Sequence, residues 1–329
     1  MGDWARSLRV DPLPALLASG DEALRHFVRR DLLGVRGEST ERLWDLPEPR
    51  STLRKQRDDG SWRHRGTTKH SYPTINSDLP ETLKCISLLV ERYGFTSRHP
   101  AIPRAAEYLF SCQTEEGDFR GILGTQYTPY YQGLIMEMLI RVGHGRDPRI
   151  RRGFEWLLWC RQRDGGWMLP VQTDSSRDRT IWSRPPIPFD PALPSSHFAT
   201  GMVLRAFAVH PQRRRSRVAR RAAELLKSRF FQRDGYTARQ APHYWTKFQY
   251  PLWWPNLLTA LDSLARMDFP REDEDAQRGL RWFVDHQRDD GLWSTGCESG
   301  KNPPRERAAA EWVTLAVCRM LKRFHQRSL

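Results

Sequence analysis

The sequence predicts an all-α fold, an α/α toroid of about five helical hairpins closed by an N-terminal helix. Two observations predict it. The first is a short phrase that recurs five times: a Gln, a few polar residues, a Gly, then an aromatic. The copies are Gln56-Arg-Asp-Asp-Gly60-Ser-Trp62, Gln113-Thr-Glu-Glu-Gly117-Asp-Phe119, Gln162-Arg-Asp-Gly165-Gly-Trp167, Gln232-Arg-Asp-Gly235-Tyr236 and Gln287-Arg-Asp-Asp-Gly291-Leu-Trp293. Their glycines lie roughly 50 to 70 residues apart, a period that signals a repeated supersecondary unit. The second is helical periodicity on both sides of each copy.

The helix before each phrase is amphipathic. In residues 102–112, 150–160 and 277–286, apolar side chains recur at three- and four-residue spacing with Arg and Glu between them. The Gly stops the helix by taking the left-handed conformation. The following aromatic then folds back as a wedge, and the Gln reaches the free backbone groups of a neighbouring helix end. The helix after each phrase, at 79–93, 129–142, 196–210, 251–267 and 305–324, is richer in apolar and small residues. Two concentric layers follow, with the polar-faced helices outside. A further helix near 14–33 closes the ring against the last pair. The chain reads as a single domain over 1–329, with repeats near 56–62, 113–119, 162–167, 232–236 and 287–293, and needs no strand.

Composition narrows the class. The chain is 39% hydrophobic and 11% aromatic with thirteen Trp, enough to fill a large core. Its apolar runs fall short of the roughly 18 residues that span a bilayer. The start, Met1-Gly-Asp-Trp-Ala-Arg, lacks a charged-then-apolar leader pattern. The expected location is cytoplasmic. Cys85, Cys112, Cys160, Cys297 and Cys318 are scattered without a Cys-x-x-Cys, which argues against a disulfide scaffold or a zinc knuckle. The net charge of +14 has its densest cluster at Arg213-Arg-Arg-Ser-Arg217 with Arg220 and Arg221. That patch reads as a solvated helix face that leaves contact with an anionic membrane surface open. Stacking aromatics are not interleaved with it, so a specific nucleic-acid partner is not expected.

The Gln-to-aromatic phrase resembles the QW repeat of squalene–hopene cyclases and oxidosqualene cyclases, which also occurs in the β-subunits of protein prenyltransferases. The resemblance runs from about Leu43 to the C-terminus, and is similar to that of short, single-domain bacterial proteins with prenyltransferase/squalene-oxidase repeats. It implies a toroid around an apolar cavity and an isoprenoid-handling activity, cyclase-like or prenyltransferase-like. The family's catalytic residues do not carry over. The cyclases use an Asp-x-Asp-Asp acid motif, and the nearest string here, Asp273-Glu-Asp275-Ala276, lacks its last Asp and opens an outer helix. The prenyltransferases hold zinc with an Asp-x-Cys pair, which does not occur here. No cofactor and no metal are expected. The alternative is a non-catalytic toroid that binds a hydrophobic ligand or a protein partner.

Candidate site residues come from the loops entering the second helix of each unit. Asp78-Leu-Pro-Glu81 has the form of a capping box, yet places two carboxylates at a helix mouth. A carboxyl among aromatics is desolvated and can serve as a general acid. Asp78, Glu81 and His197 are therefore the catalytic candidates, His197 also reading as a helix-start residue. The ligand-contacting candidates are His70 and Tyr72 in the first loop, Tyr127, Tyr130 and Tyr131 in the second, and Trp182 in the third. His243, Tyr244, Trp245, Lys247, Trp253 and Trp254 complete the set in the fourth. The third loop, about 169–196, is long enough to be a lid. Rings facing a lumen suit an apolar polyene and stabilise a carbocation through their π faces. His70, His197 and His243 occupy equivalent loops but lack a metal-ligand spacing.

Overall fold

The computed structural model describes residues 3–64, 66, 73–171, 179–235, 241–251 and 254–326. Among them the chain forms α-helices and short 3-10 turns, with isolated β-bridges and no extended strand. In chain order the helices are α1 (Leu13–Leu17), α2 (Glu22–Phe27), α3 (Pro47–Leu53), α4 (Asp78–Tyr93), α5 (Ala101–Ser111) and α6 (Pro129–Leu139). They continue with α7 (Pro148–Trp159), α8 (His197–Val209), α9 (Arg217–Ser228), α10 (Leu257–Arg266), α11 (Glu274–Asp285) and α12 (Pro303–His325). Wide π turns extend α2 through Val28–Leu32 and α6 through Ile140–His144.

The even-numbered helices form a closed inner ring. Around it α2 packs on α4, α4 on α6, α6 on α8, α8 on α10, α10 on α12, and α12 returns to α2. The odd-numbered helices lie outside, with α5 on α4, α7 on α6, α9 on α8 and α11 on α10. Because inner and outer helices alternate along the chain, the inner ones all run the same way. Sequence patterning explains the two layers. α8 is apolar nearly all round and buried from Phe198 to Ala208. α9 buries one stripe, Ala219, Ala222, Ala223 and Leu226, and turns its arginines outward.

Two expectations need correction. The N-terminal helix is two helices, because Asp21 caps a fresh start by accepting from the Leu24 backbone N–H at 3.1 Å. The first piece joins the outer layer and the second completes the inner ring. The helix expected from residue 251 begins only at Leu257, capped by Asn256 in a capping box with Thr259.

The repeated phrase builds the corners. In the first, third and fifth copies the indole N–H reaches back to the outer helix it follows. Trp62 donates to Thr52 O at 2.8 Å, Trp167 to Leu157 O at 2.7 Å and Trp293 to Phe283 O at 2.7 Å. The backbone N–H of the same Trp donates to a hydroxyl of the next inner helix: Thr82, Thr200 or Thr314, each at 3.0 Å. Phe119 keeps the second contact, to Gln132 Oε1 at 2.7 Å. The Gln side chain ties in the next outer helix. Gln56 donates to Ala101 O at 2.8 Å, Gln113 to Arg149 O at 2.9 Å, and Gln287 to Val10 O at 2.7 Å, which sews the last corner to the first residues of the ring. At Gly60, φ is +86° and an added Cβ would lie 2.1 Å from Arg104 O, so nothing larger fits.

His26 and His210 are buried in this frame and His197 is mostly so, its side chain 12% exposed. Burial lowers the pKa of each, His197 despite the opposing charge of Asp234. The sign follows from linkage. The folded-state values lie below 6.5, so stability is complete above the unfolded value and is lost as pH falls from there through the folded values. The melting temperature should therefore drop between pH 7.5 and pH 5, and His197→Gln should make that slope shallower. A variant slope equal to the parent's would remove His197 from the explanation. Thr314→Val tests the corners. It leaves the buried Trp293 N–H unpaired and should cost about 1–3 kcal/mol, read as a lower denaturant midpoint at unchanged m-value. An unchanged midpoint would show that the corner bond is dispensable.

Candidate functional site

Among the described residues, a larger and a smaller cavity open at opposite ends of the inner helices. The larger, about 930 Å³, lies at their N-terminal end. Trp62, Leu88, Tyr250, Pro251 and Trp254 supply its apolar and aromatic wall, and Glu81, His64 and Cys85 its reactive side chains. Lys55, Arg63, Lys84, Arg92 and Arg305 give it a basic rim. The smaller, about 530 Å³, lies at the C-terminal end and is lined mainly by charged groups. Tyr250 borders both.

Tyr250 reaches mid-bore because α10 starts late. Tyr250 is followed by a cis bond to Pro251. The Tyr250 ring stacks on Trp312 with centroids 4.9 Å apart and an 11° interplanar angle. Its hydroxyl donates to Glu91 O at 2.8 Å and accepts from Arg319 Nη1 at 3.2 Å. Beside it Arg92 lies over Trp312 and pairs with Asp21 at 3.0 Å.

The expected site residues separate on this geometry. Glu81 faces the larger cavity, 22% exposed, with Lys84 Nζ at 3.7 Å and His64 Nδ1 at 3.8 Å. It is thus not enclosed by aromatics as its loop composition led one to expect. Asp78 does not line either cavity. It holds the first corner, accepting from the His64 backbone N–H at 2.8 Å and from Arg57 Nη1 at 2.9 Å. Nor does His197, which stacks on Trp245 at 4.7 Å beside Asp234 at 3.6 Å. Asp234 in turn accepts from Ser196 Oγ and the Phe198 backbone N–H.

Trp254 lines the larger cavity and continues outward through Phe198, at 5.7 Å, to Tyr130, at 5.8 Å, and Tyr131. Tyr127 instead faces the outer layer, stacked on Phe189 with its hydroxyl on Glu116 at 2.8 Å. Trp245 is buried and donates to Gln232 O at 3.0 Å. His243, Tyr244 and Lys247 stack on one another away from both cavities. Trp182 presents its backbone carbonyl to Thr74 Oγ1 and to Thr125 N. The end of the long third loop is pinned in place: buried Gln126 donates to Ile181 O at 2.7 Å and accepts from Ile187 N at 3.0 Å. His70, Tyr72 and Trp253 lie outside the described residues. Among the described residues no three His, Cys, Asp or Glu side chains converge as metal ligands, and no helix is long and apolar enough to cross a membrane.

Sequence reasoning missed the buried charges at the C-terminal end. Glu137 on α6, Arg205 on α8 and Asp262 on α10 each sit inside an otherwise apolar helix. That interruption was the available signal, since such charges are buried only when paired. Arg205 Nε meets Glu137 Oε2 at 2.7 Å, Arg141 Nη2 meets Glu137 Oε1 at 2.8 Å, and Arg266 and Arg323 meet Asp262. Burial by itself would raise the pKa of both carboxylates. The guanidinium neighbours outweigh it and hold them below the usual range.

Residues 76–187 match the profile of the squalene-hopene cyclase C-terminal domain. A probable squalene–hopene cyclase of Sinorhizobium fredii is 34% identical over 87 residues, 26% of this chain and only 13% of that relative's length. Among solved structures, a protein from Actinoplanes is 16% identical, with 84% of this chain and 97% of that one covered at a TM-score of 0.34. The type II terpene cyclase MstE from Scytonema, solved with geranylgeranyl dihydroxybenzoate, is 13% identical, with 96% and 86% covered at 0.44. Both likenesses are to squalene–hopene cyclases, and each covers only part of this chain.

Proposed function

We propose that this is a terpene cyclase-like protein that takes an isoprenoid into the larger cavity. The carrying observation is that cavity itself. At about 930 Å³ it falls within the roughly 300–1,000 Å³ of ligand pockets, and it joins an aromatic wall to one carboxylate–imidazole pair, Glu81 and His64. In this reading Trp62, Tyr250 and Trp254 hold the polyene and face developing positive charge with their π systems. Glu81, in reach of His64, is the candidate proton donor.

A second reading rests on one observation. Glu81 opens to solvent with Lys84 beside it, so nothing keeps this carboxyl dry, which suits a hydrophobic-ligand binder that performs no chemistry. One set of variants separates the two. Wild-type protein incubated with squalene or with geranylgeraniol should retain the isoprenoid in native mass spectra. Trp254→Ala should weaken retention about tenfold, or ~1.4 kcal/mol. Under the cyclase reading, Glu81→Gln keeps the ligand and loses cyclic product by gas chromatography. Retention without product in either protein assigns a binder, and no retention by folded wild type overturns both readings.

A further inference from the structure

The C-terminal cavity is chemically unlike the other. Six basic side chains line it, Arg30, Arg141, Arg266, Arg319, Lys322 and Arg323, against three carboxylates, Asp31, Glu91 and Asp262. They come from α2, α4, α6, α10 and α12, elements far apart in sequence that only ring closure brings together. We propose that this chamber is a binding site for a phosphate or diphosphate group, free or at the end of a small organic carrier.

A competing explanation has the right size. The six inner helices all end here, and about half a negative charge at each C-terminus would offset a surplus of three cations. Lys322 behaves that way, with its Nζ 2.6 Å from Asp31 O and 3.3 Å from Leu32 O. The arginines do not. Arg319 pairs with Asp31, and Arg323 and Arg266 share Asp262, so these guanidinium groups crowd the cavity wall instead of covering helix ends. Buried donor capacity is also left over. Arg141 Nε has no hydrogen-bond partner, nor has Nη1 of Arg205, a residue only 6% exposed. Arg205 lies on a small recess that shares Arg141, Asp262 and Arg266 with the chamber. A guanidinium in that state costs free energy unless something accepts from it, and phosphate oxygens accept from several arginines at once. The space, about 530 Å³, holds a diphosphate with room for a carrier.

The test is titration of the whole chain with inorganic phosphate, inorganic diphosphate and phenyl phosphate, against sodium chloride at matched ionic strength. Calorimetry should give saturable one-to-one binding of diphosphate, and the melting temperature should rise with it. Tighter binding of phenyl phosphate than of phosphate assigns the carrier; equal binding assigns the free anion. Arg323→Gln should weaken diphosphate binding by about tenfold or more. Because that variant removes one of the two guanidinium partners of buried Asp262, Gln326→Glu, at the exposed mouth, serves as the fold-preserving version and should weaken binding in the same direction. Responses no larger than chloride's, or folded variants that bind as wild type does, would overturn the site and leave dipole compensation as the whole account of these cations.

Discussion

The ring depends on one contact set, the tryptophan corner. An indole N–H satisfies a carbonyl at the end of the outer helix, and the same residue's backbone N–H satisfies a threonine on the next inner helix. Both ends of that arrangement are buried, so each lost bond would leave a polar group that water cannot reach. The glutamine adds the third attachment, to the following outer helix or, at the last corner, to the first residues of the chain. Three helices are thereby fixed relative to one another by a phrase of six or seven residues. Closure is built from a local unit repeated around the circle and completed where the last helix meets the first: Ser19 Oγ donates to Glu311 Oε2 at 2.6 Å and the Trp312 indole to Asp21 Oδ2 at 2.8 Å.

Closure then dictates the electrostatics of the bore. Parallel inner helices collect their negative ends on one side, and cations collect there with them. The tightest inner pair shows how charge and packing are coupled. At Gly133 a Cβ would lie 2.5 Å from Met202 O, so α6 and α8 meet backbone to backbone. One turn on, Glu137 and Arg205 face each other across the same seam. A buried ion pair of this kind contributes little net stability, since desolvation offsets most of the attraction, but a mismatched register would strand one charge. The pair therefore specifies which faces of α6 and α8 meet, and the glycine permits the distance.

Much of this scaffold was legible in the sequence, because its determinants are local. Glycine at fixed offset, a wedge aromatic and a 3.6-residue apolar period act within a single hairpin, and five copies repeat the message. The bore was less legible for the opposite reason. Glu81 was reachable because it opens a helix beside a recognisable cap. The capping box expected there does not form: Asp78 lies inside the helix, Asn76 Oδ1 accepts from the Asp78 and Leu79 backbone N–H groups instead, and the Asp78 side chain turns to Arg57 and the His64 backbone, a choice that depends on where the first corner lies in space. The loop aromatics divided likewise. Trp254 faces the lumen and Tyr127 the outer layer, although both sit in equally aromatic strings. Tyr250 carried no local signal at all, since its position depends on a helix that begins late.

The late start of α10 traces to a changed corner. The fourth glutamine does not reach the next outer helix. Gln232 donates to Ser228 O, within its own helix end. The wedge is supplied thirteen residues further on by Trp245, whose indole donates to Gln232 O. Beyond this corner Tyr250 lies between inner helices, bonded to Glu91 O of α4 and stacked on Trp312 of α12. The third corner is diverted too, with Gln162 holding Asp190 O and Leu193 O of the long loop. Only the first and last corners thus carry all three attachments: the second has Phe119 in place of an indole, and the third and fourth redirect their glutamine. The two chambers, one aromatic and one basic, meet at Tyr250, which lines both.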